Sequence, residues 1–187
     1  IMKHRFLMQY ILHPRTTGAI FPSSKKLACK MIESIDFNNC ECIVEFGPGT
    51  GAFTEELLKR RNANTKIILI EYNEEFYRIL EDKYKEMEKI YIINDSAENI
   101  EYYIKKYDIN KVDYIVSGLP FASLPKEMTE AILERTRKVL SHGGIFITFQ
   151  YSKLKKSLIN AYFQSINIKK EFINIPPAYV FYCTNEM

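Results

Sequence analysis

Apolar residues along this chain fall into short, nearly continuous runs, separated by longer segments in which they recur every three or four positions. Short apolar runs bounded by turn residues read as buried strands, and the wider spacing reads as helices with one face on a core. The strands so predicted cover 42–46, 66–71, 90–94, 112–116, 144–150, 169–175 and 179–184. Helical spacing covers 53–60, 74–86, 97–107, 126–140 and 153–163. Strands alternating with helices predict an α/β fold, a mostly parallel seven-stranded sheet with helices on both faces. No long helix separates the last two strands, so they are expected to form an antiparallel hairpin at one edge, turning at Pro176-Pro177. Two more helices are expected ahead of the first strand, one over 3–12 and one capped by Ser23-Ser24 and running to Ile35. Between them, 14–22 reads as an ordered, turn-rich segment.

A length of 187 residues with 47% hydrophobic composition fits one domain with a full core. Within it, 1–36 is expected to be a helical lid or membrane-contact segment and 37–187 the sheet core. No run approaches the roughly 20 apolar residues of a spanning helix. The apolar start is broken by Lys3, His4 and Arg5 and lacks the small-residue cleavage site of a secretory signal. Because the chain begins with Ile1, residues are expected before it, and a cytoplasmic location is expected.

Of the cysteines Cys29, Cys40, Cys42 and Cys183, the pair Cys40-x-Cys42 lacks the two-residue spacer of zinc knuckles, and no nearby His completes a site. Reduced, mostly buried thiols and no metal are expected. The net charge of +3 is too small to indicate a nucleic-acid protein by itself. Its distribution is uneven: Lys3, Arg5, Arg15, Lys25, Lys26 and Lys30 precede the first acid, Glu33, and Lys153, Lys155 and Lys156 form a second group. Such charge suits phosphates of lipid or nucleic acid, or is a solvated face.

The sharpest local signal is Ile43-Val-Glu45-Phe46-Gly47-Pro48-Gly49-Thr-Gly51-Ala-Phe53, a strand running into a glycine-rich turn and then a helix. Glycines there permit positive φ and close approach of a ligand to the backbone, and the helix start offers free N–H groups. Gly47-x-Gly49-x-x-Ala52 also satisfies the dinucleotide fingerprint. Glu45 tilts the choice: its charge is poorly placed beside a pyrophosphate and well placed for a ligand carrying an ammonium and a sulfonium. Glu71, twenty residues after Gly51, ends the second strand where an acid can accept ribose hydroxyls of either ligand. Asp95 follows the third strand, as a ligand group or a helix cap.

Glu-x-Gly-x-Gly-x-Gly resembles the first motif of class I S-adenosylmethionine-dependent methyltransferases, which implies a Rossmann-like fold and S-adenosyl-L-methionine as cofactor. By that resemblance the cofactor is held by Glu45, Phe46, Gly47, Pro48, Gly49, Gly51, Glu71, Tyr72, Asp95, Ser96 and Ser117, with Asp95 receiving the adenine amine and Tyr72 packing on adenine or ribose. Ser117-Gly-Leu119-Pro-Phe121, after the fourth strand, resembles the Asn/Asp/Ser-x-x-Tyr/Phe loop of enzymes that methylate amino groups. There Ser117 and the carbonyl of Leu119 would meet the nucleophile's N–H groups, and Phe121 would supply an aromatic face, its alternative being a core position. Adenine-methylating enzymes generally carry Asn or Asp at the position of Ser117, which weakens a nucleic-acid reading.

Arg15-Thr-Thr-Gly18-Ala-Ile-Phe-Pro22-Ser-Ser24-Lys-Lys-Leu27-Ala28 and Asn174-Ile-Pro176-Pro177-Ala178-Tyr179-Val180 look like segments of bacterial phospholipid N-methyltransferases, related to the ribosomal RNA adenine dimethylases. The resemblance runs from about Phe6 to Val180. It implies successive methylation of the phosphatidylethanolamine amine, with an anionic membrane surface as partner and peripheral association with the inner face of the membrane. Apolar residues of 1–12 beside Lys3, His4 and Arg5 suit a helix in such a surface, or equally a lid on the domain. Ribosomal RNA enzymes carry a helical RNA-binding domain after the sheet; the chain ends at Met187, so little RNA-binding surface is expected. Proton acceptors for the amine are few: water, the Ser117 and Leu119 carbonyls, Tyr179 as a hydrogen-bond partner, or His13. Catalysis by positioning alone is the preferred account. The alternatives are a nucleic-acid adenine or small-molecule amine methyltransferase and a non-catalytic binder of the cofactor.

Overall fold

A computed structural model describes residues 22–151, 156–171 and 178–185. Its elements are α1 (Pro22–Ile32), β1 (Cys42–Phe46), α2 (Ala52–Arg60), β2 (Lys66–Glu71), α3 (Glu74–Tyr84), β3 (Ile90–Asn94), α4 (Ile100–Lys106), β4 (Tyr114–Ser117), α5 (Lys126–Val139), β5 (Ile145–Gln150), α6 (Lys156–Asn160), β6 (Ser165–Glu171) and β7 (Ala178–Thr184). The strands form a seven-stranded sheet in the order β3-β2-β1-β4-β5-β7-β6. The first five are mutually parallel, and β7 runs antiparallel to both β5 and β6.

All five residues of β1 are buried, as expected for a strand covered on both faces. Alternation divides the core. Cys42, Val44 and Phe46 join Ile100, Ile132, Leu133 and Ile159 on one face, while Ile43 joins Leu27, Met31, Leu57 and Leu80 on the other. The first face is covered by α4, α5 and α6, the second by α1, α2 and α3. Asp113 fixes the start of β1 against β4: its Oδ2 accepts the N–H groups of Glu41 at 2.7 Å and Cys42 at 3.2 Å.

Chain direction creates the site. From β1 the sheet grows through β2 to β3 on one side and through β4 to β5 on the other. The turns after β1 and β4 therefore diverge at one point of the carboxyl edge, leaving a crevice of the kind where open α/β sheets take their ligands.

Several element boundaries differ from the periodicity. The helix expected over 97–107 is a 3-10 turn (Ala97–Asn99), capped by the Ser96 side chain, followed by α4. Strand β6 begins at Ser165, earlier than expected, because Ile166 and Ile168 pack on the core while the intervening residues face out. The helix expected over 153–163 is described only as α6, and α1 starts at Pro22, a residue suited to a first helical position. The helix expected over 3–12, the 14–21 segment and the Pro176-Pro177 turn lie outside the described residues. No helix among the described residues is long and apolar enough to cross a membrane.

Candidate active site

The turn after β1 is locked to the turn after β4 by two close approaches. Gly47 has φ +63, and a Cβ there would fall 2.8 Å from Leu119 Cδ2. A Cβ on Gly118 would fall 2.8 Å from the carbonyl oxygen of Gly47. Glycine at both positions lets the two turns touch, and the Gly118 N–H donates to Phe46 O at 2.8 Å. Phe46 itself is fully buried and contributes that carbonyl; Pro48 O accepts from the Gly51 N–H at 2.9 Å and tightens the turn.

Three acids stand at successive strand tips. Glu45 is fully buried; its Oε2 accepts from the Thr54 hydroxyl at 2.7 Å, and its Oε1 has no partner among the described residues. Burial pushes its carboxyl up to about 8, the Thr54 hydrogen bond opposing and the neighbouring Glu71 adding to the rise. Glu71 ends β2 and accepts from the backbone N–H groups of Gly49 at 2.9 Å and Asn73 at 2.8 Å. Burial raises its carboxyl as well, against those N–H groups and that of Tyr72. Asn94 ties the tips of β2 and β3 by donating to Glu71 O at 2.9 Å and Tyr72 O at 3.2 Å. Beyond it, Asp95 accepts from Ser96 N at 2.7 Å, Asn99 Nδ2 at 2.9 Å and the Tyr103 hydroxyl at 2.7 Å. Both of its oxygens are thus oriented by α4 and the turn before it. Tyr72 is half-buried against the core.

Ser117 is fully buried, and its hydroxyl accepts the Leu119 N–H at 3.2 Å, so the side chain shapes the turn. Gln150 Nε2 reaches the Leu119 carbonyl at 3.4 Å from the end of β5. Tyr179 lies opposite Gln150 across the β5–β7 pairing, with the Lys170 ammonium 5.6 Å from its ring centroid. Phe121 departs from the expectation of an aromatic face beside the acceptor. It is fully buried and meets Phe146 edge-on at 6.2 Å, because the turn directs the ring into the apolar layer beneath the loop.

Thr54, Asn73, Asn94, Tyr103 and Gln150 were not singled out from the chain. Only Asn73 carried a local signal, an Asn before Glu74-Glu75 that caps α3 by accepting from Glu75 N and Phe76 N.

These residues fit a cationic, nucleoside-bearing ligand. A buried carboxylate oxygen without a partner needs a cation or donor, and beyond Gly49 a Cβ would meet nothing within 4 Å. A family model described as ribosomal RNA adenine dimethylase matches residues 15–162. The chain belongs to the ribosomal RNA adenine dimethylase family. It is an S-adenosylmethionine-dependent methyltransferase with a Rossmann-like fold.

Among relatives of this family member, the ornithine lipid N-methyltransferase of Singulisphaera acidiphila is 26% identical over 180 residues, 95% of this chain and 93% of that one. The ribosomal RNA small subunit methyltransferase A of Mycoplasma capricolum is 32% identical over 123 residues, 65% of this chain. The chain matches 43% of that enzyme's length. A SAM-dependent O-methyltransferase structure from Thermotoga maritima superposes with a TM-score of 0.60 at 16% identity, over 97% of this chain and 72% of that one, a likeness of fold. All four cysteines are free; among the described residues no cluster of three or more His, Cys, Asp or Glu suits a metal.

Proposed function

We propose that this family member is an N-methyltransferase acting on the amine of a membrane-lipid headgroup, such as phosphatidylethanolamine or an ornithine lipid. The observation that carries the reading is the match to a lipid N-methyltransferase over nearly the whole of both chains. Ser117, whose short side chain is spent on its own turn, supports it further, since an adenine amine would be gripped by a longer amide or carboxylate there. The ribosomal RNA relatives favour a second reading, methylation of an RNA adenine, over the shared part of the chain.

Glu45 would hold the cationic amino-acid end of the cofactor, with Phe46, Gly47, Pro48, Gly49 and Gly51 as its backbone cradle. Glu71 and Tyr72 would take the ribose, and Asp95 and Ser96 the adenine. When bound, S-adenosylmethionine supplies an electrophilic methyl carbon. The protein's own part is alignment. The Ser117–Leu119 turn offers backbone carbonyls that can accept N–H hydrogens of the amine and aim its lone pair. Gly47 and Gly118 hold that turn against the cofactor cradle, so the two reactants share one crevice. The Leu119 carbonyl or Tyr179 can receive the departing N–H hydrogen bond before the proton passes to water.

On the same reading, 1–36 would contact an anionic membrane surface from the cytoplasmic side, its α1 part packed on the sheet through Leu27 and Met31, and 37–187 would be the methyl-transferring core. Methyl-labelled S-adenosylmethionine, offered with total lipid extract, ribosomal RNA and small amines in parallel, tests the proposal. Label in chloroform-soluble lipid is the expected result; label in RNA alone would establish the second reading.

A further inference from the structure

With Phe121 in the core, the acceptor turn still borders an aromatic ring. A Cβ on Gly118 would stand 3.7 Å from Phe53 Cε2. Phe53, in the first turn of α2, is half-buried and meets Phe149 at 5.8 Å between ring centroids, the planes 88° apart. Phe149, near the end of β5, is half-buried and meets Tyr151 at 5.6 Å with planes 83° apart. Tyr151 is 54% exposed. Three rings therefore run from the acceptor turn to the surface, and successive near-perpendicular pairs turn their π-faces in different directions.

We propose that Phe53, Phe149 and Tyr151 form the wall that receives the methylated ammonium of the acceptor. The wall presupposes the lipid-amine reading, and its use comes from what repeated transfer does to the headgroup. In each round the nitrogen lone pair takes the methyl carbon, the carbon–sulfur electron pair stays on sulfur, and one proton from nitrogen goes to water. The nitrogen thus exchanges N–H groups for methyls and keeps its positive charge. Backbone carbonyls of the Ser117–Leu119 turn lose their donors one by one. An aromatic face loses nothing, since it attracts the charge through the methyl shell. The carbonyls serve the first transfer, and the ring wall serves the later ones.

Choline probes the wall alone. Its comparison compound, 3,3-dimethylbutan-1-ol, has the same shape with an uncharged carbon in place of nitrogen. Ligand-observed NMR on the full chain is expected to show choline bound about five- to tenfold more tightly than the neutral compound. Tyr151→Ala and Phe149→Leu should bring the ratio close to one while leaving S-adenosylmethionine affinity unchanged. In lipid turnover the same variants should accumulate the monomethyl product. Equal binding of both compounds by the wild-type protein would overturn the proposal, as would full retention of the choline preference in Tyr151→Ala, whose exposed site leaves folding intact. The two readings fail separately. Labelled lipid without a choline preference removes the wall only; a choline preference lost in the variants, with label in RNA alone, removes the lipid reading only.

Discussion

Replacing Glu45 by Gln should stabilise the protein at neutral and higher pH while weakening its hold on the cofactor. In the folded chain the Glu45 carboxyl titrates near 8, against 4.5 for an ordinary glutamate. Below pH 4.5 both folded and unfolded states hold the proton, and the residue has no effect on stability. Between 4.5 and 8 the unfolded state has released the proton and the folded state keeps it, so stability falls as pH rises. At about 1.4 kcal/mol per pH unit, the cost is about 3 kcal/mol at pH 7 and approaches about 5 kcal/mol above pH 8. Glutamine is uncharged throughout and can still accept from Thr54. Urea unfolding at pH 5 and pH 8.5 should therefore show Glu45→Gln near wild type at the first and more stable by several kcal/mol at the second. An equal difference at both pH values would refute the reasoning. Calorimetry supplies the other half: at pH 7, S-adenosylmethionine should bind wild type with proton release, visible as a buffer-dependent enthalpy, and bind Glu45→Gln more weakly with none.

Three further outcomes follow from the same geometry. Gly49→Val fills the open space over the turn at a residue with φ +58 and should abolish cofactor binding by calorimetry; unchanged affinity would mean the cradle lies elsewhere. Phe121→Ala opens the layer shared with Phe146 and should cost about 3–5 kcal/mol in chemical unfolding, whereas a loss of activity at unchanged stability would return the ring to the acceptor site. Lys3→Glu or Arg5→Glu should weaken sedimentation with anionic vesicles, an association that should also fall with added salt; salt-independent or absent binding contradicts the membrane-contact role of 1–36.

Much of the fold was legible because β1, β2 and β4 are buried on both sides and leave unbroken apolar runs between helical stretches. Strand β6 was harder to read. Ile166 and Ile168 alternate with Asn167 and Lys169, but the pattern lies close after a helical segment and its start is easily absorbed into it. The acids were visible at the strand ends: Glu45 one residue before the end of β1, Glu71 the last of β2 and Asp95 the residue after β3. Their partners Thr54 and Tyr103 were not, nor was Gln150 beside the Leu119 carbonyl, because each comes from another element and meets the site only through the fold. Phe121 shows the limit of a motif: the spacing from Ser117 locates the ring on the turn, but the direction of the ring depends on the layer containing Phe146. Phe53 and Phe149, 96 positions apart, could be paired only by the sheet.

The most direct test of the account is a crystal structure with the cofactor's demethylated product, S-adenosylhomocysteine, bound. The amino-acid end should lie beside Glu45, the ribose hydroxyls at Glu71 and the adenine amine at Asp95, all at the carboxyl edge of β1, β2 and β3. Carboxylates turned away from the ligand, or a ligand in the polar cleft between Asn38 and Lys111 at the opposite end of the strands, would contradict it.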